Sequence, residues 1–242
     1  MASLALAEAA ALTGDPAAMA ATKKAMRYTQ SMQHPSTGGW RYNKGDPGDL
    51  SQLGWHVMSI DAAGRAGAID NAEPMMVGAK RFLRSVRVGR SGGQASYRPG
   101  EASSVTMTAE ALATAIMLDD RPSDAAIAEA EQLILQNLPP RASSRAIDNY
   151  YYWYYATLAL HQLQDDAWST WNETLRERLL ATQSADGSWP ATTLWGGYGG
   201  TIYTTSMATL CLESYYRHAI RSPDVADRIG RVTPSEFESS DR

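Results

Sequence analysis

An all-α fold built from repeated helix pairs is what this 242-residue sequence predicts. Three observations carry that expectation. Four segments, Leu53–Ile60, Met107–Thr114, Tyr152–Ala159 and Thr204–Cys211, align without gaps and place Val57, Ala111, Ala156 and Ala208 in one column. The column spacings are 111−57 = 54, 156−111 = 45 and 208−156 = 52 residues. A period of about fifty residues marks one supersecondary unit copied along the chain, each copy needing its neighbours to bury its apolar face. Within each period a charged amphipathic stretch also alternates with a nearly uncharged one, and most of these halves are joined by glycine-rich turns.

The chain opens on Met1 to Leu12, an alanine-rich stretch without a basic leading region, which reads as the end of a helix and not as a secretory signal. Because this opening already resembles mid-repeat sequence, the chain is expected to derive from a longer parent. The charged halves are Ala20–Met32, Pro74–Val86, Ala125–Leu138 and Trp171–Gln183. Apolar residues there recur at three and four, which suits helices with one wet face, the outer helices. The uncharged halves begin near Asp49, Ser103, Asp148 and Thr201 and are rich in Ala, Thr, Met and aromatics. They are expected to be inner helices packed on all sides, with Asp49, Ser103 and Asp148 as N-caps and Gly64 and Gly67 closing the first.

The turns between halves carry Gly38, Gly39 and Trp40, then Gly92, Gly93 and Gln94, then Asp186 to Trp189. Glycine permits the positive φ of a tight reversal, and a following Trp packs between repeats. The third repeat has Pro139 and Pro140 instead, a stiffer reversal. Residues 1–220 are thus read as one repeat domain, and residues 221–242, polar and containing Pro and Ser, as a disordered tail.

Composition narrows the functional classes. With 44% hydrophobic residues the chain buries a sizeable core, and a net charge of −4 supplies no basic surface for nucleic acid. Cys211 is the single cysteine, which excludes an internal disulfide and a cysteine-rich zinc site. No run of eighteen apolar residues occurs, so no membrane-spanning segment is expected, and no compartment follows from the sequence.

The segments Arg27–Tyr42, Leu179–Trp189 and Ser206–Arg217 together resemble the prenyltransferase and squalene-oxidase repeat superfamily of terpenoid cyclase-like α/α toroids. Within that superfamily the resemblance is to bacterial repeat proteins without an assigned reaction. Leu179–Trp189 looks like the Gln-Trp motif of triterpene cyclases. The motif's structural role, tying outer helices to turns, falls on Gln183, Gly187 and Trp189, with Gly39 and Trp40 as the corresponding turn of the first repeat. The resemblance implies an incomplete α/α barrel, with four helix pairs and a leading helix around an apolar cavity.

The superfamily's chemistry does not carry over with the fold. The Asp-x-Asp-Asp acid of the cyclases occurs nowhere, and Asp119 with Asp120 reads as a solvated helix stop. Gly92-Gly93 and Arg98-Pro99-Gly100 echo the protein prenyltransferases, but the zinc-ligand positions that follow fall on Ser104 and Ala109, which cannot bind zinc. The Gly-Cys-Gly-Glu-Gln cluster of thioester domains is missing too. No metal or cofactor is therefore expected, and the reading leans against an enzyme.

The repeat columns offer another candidate site. His56, Glu110, Tyr155 and Met207 share one column, while Gln52, Thr106, Tyr151 and Tyr203 share another four residues earlier. Residues four apart on a helix face the same way, so Gln52, His56, Thr106, Glu110, Tyr151, Tyr155 and Tyr203 are candidates to line a cavity, or simply to fill the core. A buried Glu110 needs a partner, and His56 is the candidate for an acid/base pair or a structural hydrogen bond. The aromatic run from Tyr150 to Tyr155, with Trp195, Gly196, Gly197 and Tyr198, suits an apolar or sugar ligand or a protein partner.

Three functions remain open on sequence. One is a non-catalytic toroid module that scaffolds a longer parent or binds a protein. Another is an enzyme or receptor for an isoprenoid-like ligand. The third is a glycan-active α/α barrel using Glu110 with Asp61 or Asp148.

Overall fold

The computed structural model describes residues 1–141 and 143–221, so the expected tail, apart from Arg221, lies outside the described residues. The described chain is mostly α-helical and divides into two compact units, Met1–Asn137 and Leu138–Arg242.

In the first unit α1 (Ala2–Thr13), α3 (Leu50–Arg65) and α5 (Val105–Met117) alternate with α2 (Pro16–Met32), α4 (Glu73–Val86) and α6 (Asp124–Leu135). The odd helices pack side by side, α1 on α3 and α3 on α5, and each also packs on the even helix that follows it. The leading helix thus occupies the place of an inner helix. Composition explains the two layers. Every residue from Met107 to Ala115 of α5 is buried, whereas α2 buries only Thr22, Met26 and Thr29 and leaves Lys23, Lys24 and Arg27 in water.

The second unit repeats the scheme with α7 (Tyr150–Leu163), α8 (Asp166–Thr182) and α9 (Gly196–Arg217), with α7 packed on both others. Tyr152 to Leu163 form an unbroken buried run. The fourth inner half departs from the expectation that such helices pack on all sides. Residues Gly196–Gly199 form a helical turn that breaks at Gly200 (φ 64, ψ −165), and Tyr198 and Ile202 stand in solvent. A backbone with that φ favours glycine, and the regular helix resumes at Thr201, where the sequence placed its start.

Cap chemistry sets the helix starts. Asp49 accepts from the Gln52 N–H at 3.0 Å and caps α3 as expected. The caps of α5 and α7 are Ser104 and Asn149, one residue beyond Ser103 and Asp148. The reason is competition for the side chains. Ser103 Oγ donates to Gln94 Oε1 at 2.7 Å, and Asp148 is taken by Arg178. The turn at Gly92-Gly93 adds an element that the all-α expectation lacked, a two-stranded ribbon of β1 (Arg87–Val88) and β2 (Gln94–Ala95), antiparallel with Arg87 opposite Ala95.

Candidate functional site

The turn residues form the best-defined polar constellation. Trp40 is fully buried and donates from Nε1 to the Thr29 carbonyl at 2.8 Å, and Trp189 does the same to Leu179 at 2.9 Å. Gln33 Nε2 donates to the Gly38 carbonyl, and Gln183 Nε2 to Gly187, both at 2.9 Å. Two turns about 150 residues apart therefore share one hydrogen-bond pattern, in which a glutamine at the helix end holds the turn and an indole returns to the helix. Gly39 lies against Phe82, where a side chain would overlap the ring. Thr108 and Thr205, three residues before Ala111 and Ala208, accept from the Ala95 and Trp189 backbone N–H groups, both at 3.1 Å. The repeat alignment thus reappears in contacts it did not use.

Each of the first three turns is also clamped from the outer helix that follows it. Arg81 on α4 donates to the Pro35 and Ser36 carbonyls, and Arg178 on α8 to those of Arg141, Ser144 and Ala146. Both arginines sit thirty residues before the repeat column, 111−81 = 208−178 = 30. On α6 the clamp is Glu129, whose carboxylate accepts from the N–H groups of Arg90, Ser91 and Gly93. Those bonds hold its carboxyl below the usual carboxylate range. This layer of charged clamps escaped the sequence reading. Equal column offsets of the two arginines were the available signal.

The cavity candidates divide between the units. In the first, Gln52 and His56 lie on α3 and Thr106 and Glu110 on α5, which pack together. His56 stacks on Trp40, ring centroids 4.8 Å apart and 14° from parallel. Burial, aided by the positive charge of the Met1 ammonium, lowers its pKa to about 4, so it is neutral at pH 7. The ring partner of His56 is therefore an indole. Glu110 is fully buried among Thr108, Ala109 and Ala111 and engaged in a polar or electrostatic contact.

In the second unit the Tyr151 and Tyr155 rings meet one helical turn apart at 5.2 Å and 62°. Tyr203 on α9 has a buried hydroxyl without a hydrogen-bond partner among the described residues, and burial pushes its pKa up to about 12. Nearby in sequence, the 194–202 segment carries Leu194, Trp195, Tyr198 and Ile202 at 49%, 48%, 90% and 82% exposure.

Three of the aspartates singled out on sequence, Asp61, Asp120 and Asp148, pair with arginines. Asp120 is held by Arg84 and Arg87 at the end of α4, so the helix-stop pair is not merely solvated. Asp61 pairs with Arg65 on its own helix. Asp148 is 6% exposed, and its Oδ1 accepts from Arg178 Nε at 3.0 Å. Burial raises the Asp148 pKa, and Arg178 opposes the rise. Among the described residues no group of three or more His, Cys, Asp and Glu is placed to hold a metal, and no helix is long and apolar enough to cross a membrane.

Comparison with known protein families and with curated proteins returns no match to this chain.

Proposed function

We propose that this chain is a terpenoid cyclase-like α/α-toroid repeat module that acts by binding a protein partner or a neighbouring domain, and not by turnover. The resemblance of its Gln-Trp turns supports the toroid, as does the alternation of inner and outer helices within each unit. The observation that carries the binding role is the row Leu194, Trp195, Tyr198 and Ile202. Four large apolar side chains within nine residues remain in water, whereas on α7 Tyr150 and Tyr152 to Tyr155 are buried. Clustered exposed aromatics of this kind mark interaction surfaces, where Trp and Tyr dominate the binding energy. The Gly-rich 196–200 backbone gives the row freedom to adapt to a partner.

Site-specific photo-crosslinking tests this. A crosslinker at position 198 should capture one defined protein, and a crosslinker at Tyr28, which is 65% exposed on α2, should not. Capture should disappear in the Trp195→Ser, Ile202→Ser double variant. Equal labelling from both positions, or pyrophosphate release from prenyl diphosphates by the purified chain, would overturn the reading.

A second reading, a receptor for an isoprenoid-like ligand, is favoured by the buried Tyr203 hydroxyl, which would donate to a ligand oxygen. Retention of a prenyl alcohol by the wild type and its loss in Tyr203→Phe would support it.

A further inference from the structure

The second unit contains a pocket of about 330 Å³ whose lining includes Arg145, Asp148, Tyr150, Arg178, Thr192 and Thr193. It lies where the chain entering α7, the C-terminal part of α8 and the turn before α9 meet, and Leu194 donates its backbone N–H to the Asp148 carbonyl across it. A volume of this size falls at the small end of ligand sites, roughly 300–1,000 Å³.

Its polar groups fall into two sets. Arg178 is saturated from within, because its donors go to Asp148 Oδ1 and to the loop carbonyls of Arg141, Ser144 and Ala146. The Tyr150 hydroxyl is hydrogen-bonded to Thr182. The second set has capacity left over. Asp148 Oδ2 accepts no hydrogen bond from a described residue, although Asp148 itself is more than nine-tenths buried. Thr193 Oγ1 is buried without a partner among the described residues. Arg145 lines the pocket and forms no ion pair with a described residue. An unmet buried hydroxyl is costly, and the pocket sets Thr193 Oγ1 beside a carboxylate oxygen and a cation that both have capacity to spare.

We infer that this pocket is a binding site for a small polyhydroxylated carboxylate of the sugar-acid class, with Arg145 receiving the carboxylate and Asp148 and Thr193 the hydroxyls.

Charge selects that class. Arg178 already balances Asp148, so Arg145 leaves the pocket one positive charge in excess, which an anion offsets. Asp148 Oδ2 is left to accept from a donor on the ligand, since both Arg178 contacts go to Oδ1. An ammonium is disfavoured there, because the Arg178 guanidinium stands 3.0 Å from the same carboxylate. A neutral hydroxyl brings a donor without a like charge. The adjoining Trp195, half-exposed two residues beyond Thr193, is of the type that stacks on a sugar ring.

Titration calorimetry of the full chain with D-glucuronate, D-glucose and L-alanine tests the assignment. Glucuronate should bind with a Kd of about 1 mM or tighter, with glucose and alanine at least about tenfold weaker. Thr193→Val should weaken glucuronate about tenfold, and Arg145→Ala should remove the preference for glucuronate over glucose. Arg145 is exposed and outside the Arg178 network, so that variant keeps the fold, which unchanged thermal melting confirms. No heat with glucuronate, equal affinity for glucose, stronger binding of alanine, or indifference to both substitutions would overturn the proposal.

Discussion

Arg178 and Asp148 form a buried ion pair, with Oδ1 3.0 Å from both Nε and the terminal amine, and the same guanidinium gathers the carbonyls of the turn before α7. It reaches back from the outer helix that follows to the turn carrying Pro139 and Pro140, which has neither the glutamine nor the indole of the first and fourth turns. One side chain therefore closes a loop that lacks those two ties.

Removing that cation leaves a buried carboxylate alone and strips several carbonyls of their donor. Arg178→Met should lower unfolding free energy by about 3–5 kcal/mol, measured by urea denaturation. Adding Asp148→Asn should recover part of the loss, since no unpaired charge then remains inside.

The His56 ring is neutral when folded, with a pKa near 4 against an ordinary 6.5. A histidine with a depressed folded pKa contributes stability that is present above pH 6.5 and is lost as pH falls toward 4. Urea midpoints should drop between pH 7 and pH 5 by the equivalent of up to about 2 kcal/mol from this group. His56→Phe keeps a ring on Trp40 and should flatten that part of the profile.

Two glycines with similar backbone angles should respond differently to alanine. Gly38 (φ 82) has the Gly78 carbonyl where a Cβ would stand, while Gly187 (φ 85) has open space. Gly187→Ala should cost about 1 kcal/mol from the left-handed conformation alone. Gly38→Ala should cost at least twice as much, because α4 must move; thermal melts of the two variants compare them directly.

The two turn glutamines make a similar contrast. Gln33 Nε2 serves both Gly38 and Met75, in a half-buried setting, whereas Gln183 serves Gly187 at the surface. Gln33→Leu should cost about 1–3 kcal/mol and Gln183→Leu under about 1 kcal/mol in chemical denaturation.

The features legible in sequence were those written in local chemistry. Charge-poor halves marked the buried helices, and glycines beside Trp40 and Trp189 marked the turns. Long-range partners were not legible. Ser103 and Asp148 look like helix caps until Gln94 and Arg178 claim them, and Asp120 looks like a solvated stop until Arg84 and Arg87 arrive from another helix. For the site, repeat columns grouped residues by helix face but could not name the partner of His56, which came from the preceding turn as Trp40. The pocket beside Arg178 was invisible for the same reason, since its lining is drawn from three stretches of chain.

The clamping of turns from the following outer helix makes the two edges of the helix layers unequal. At the turn edge of the first repeat, a cut between Gln33 and Asp49 would sever anchors from Arg81, Gln33 and Trp40 together. At the opposite edge, the hydrogen bonds of Gly67 to Asn71 among the described residues stay within the local chain. Length is therefore free to vary on one side and locked on the other. Grafted peptides, fluorescent inserts and split-protein halves belong at 67–71, where the helices on either side remain docked without the covalent link.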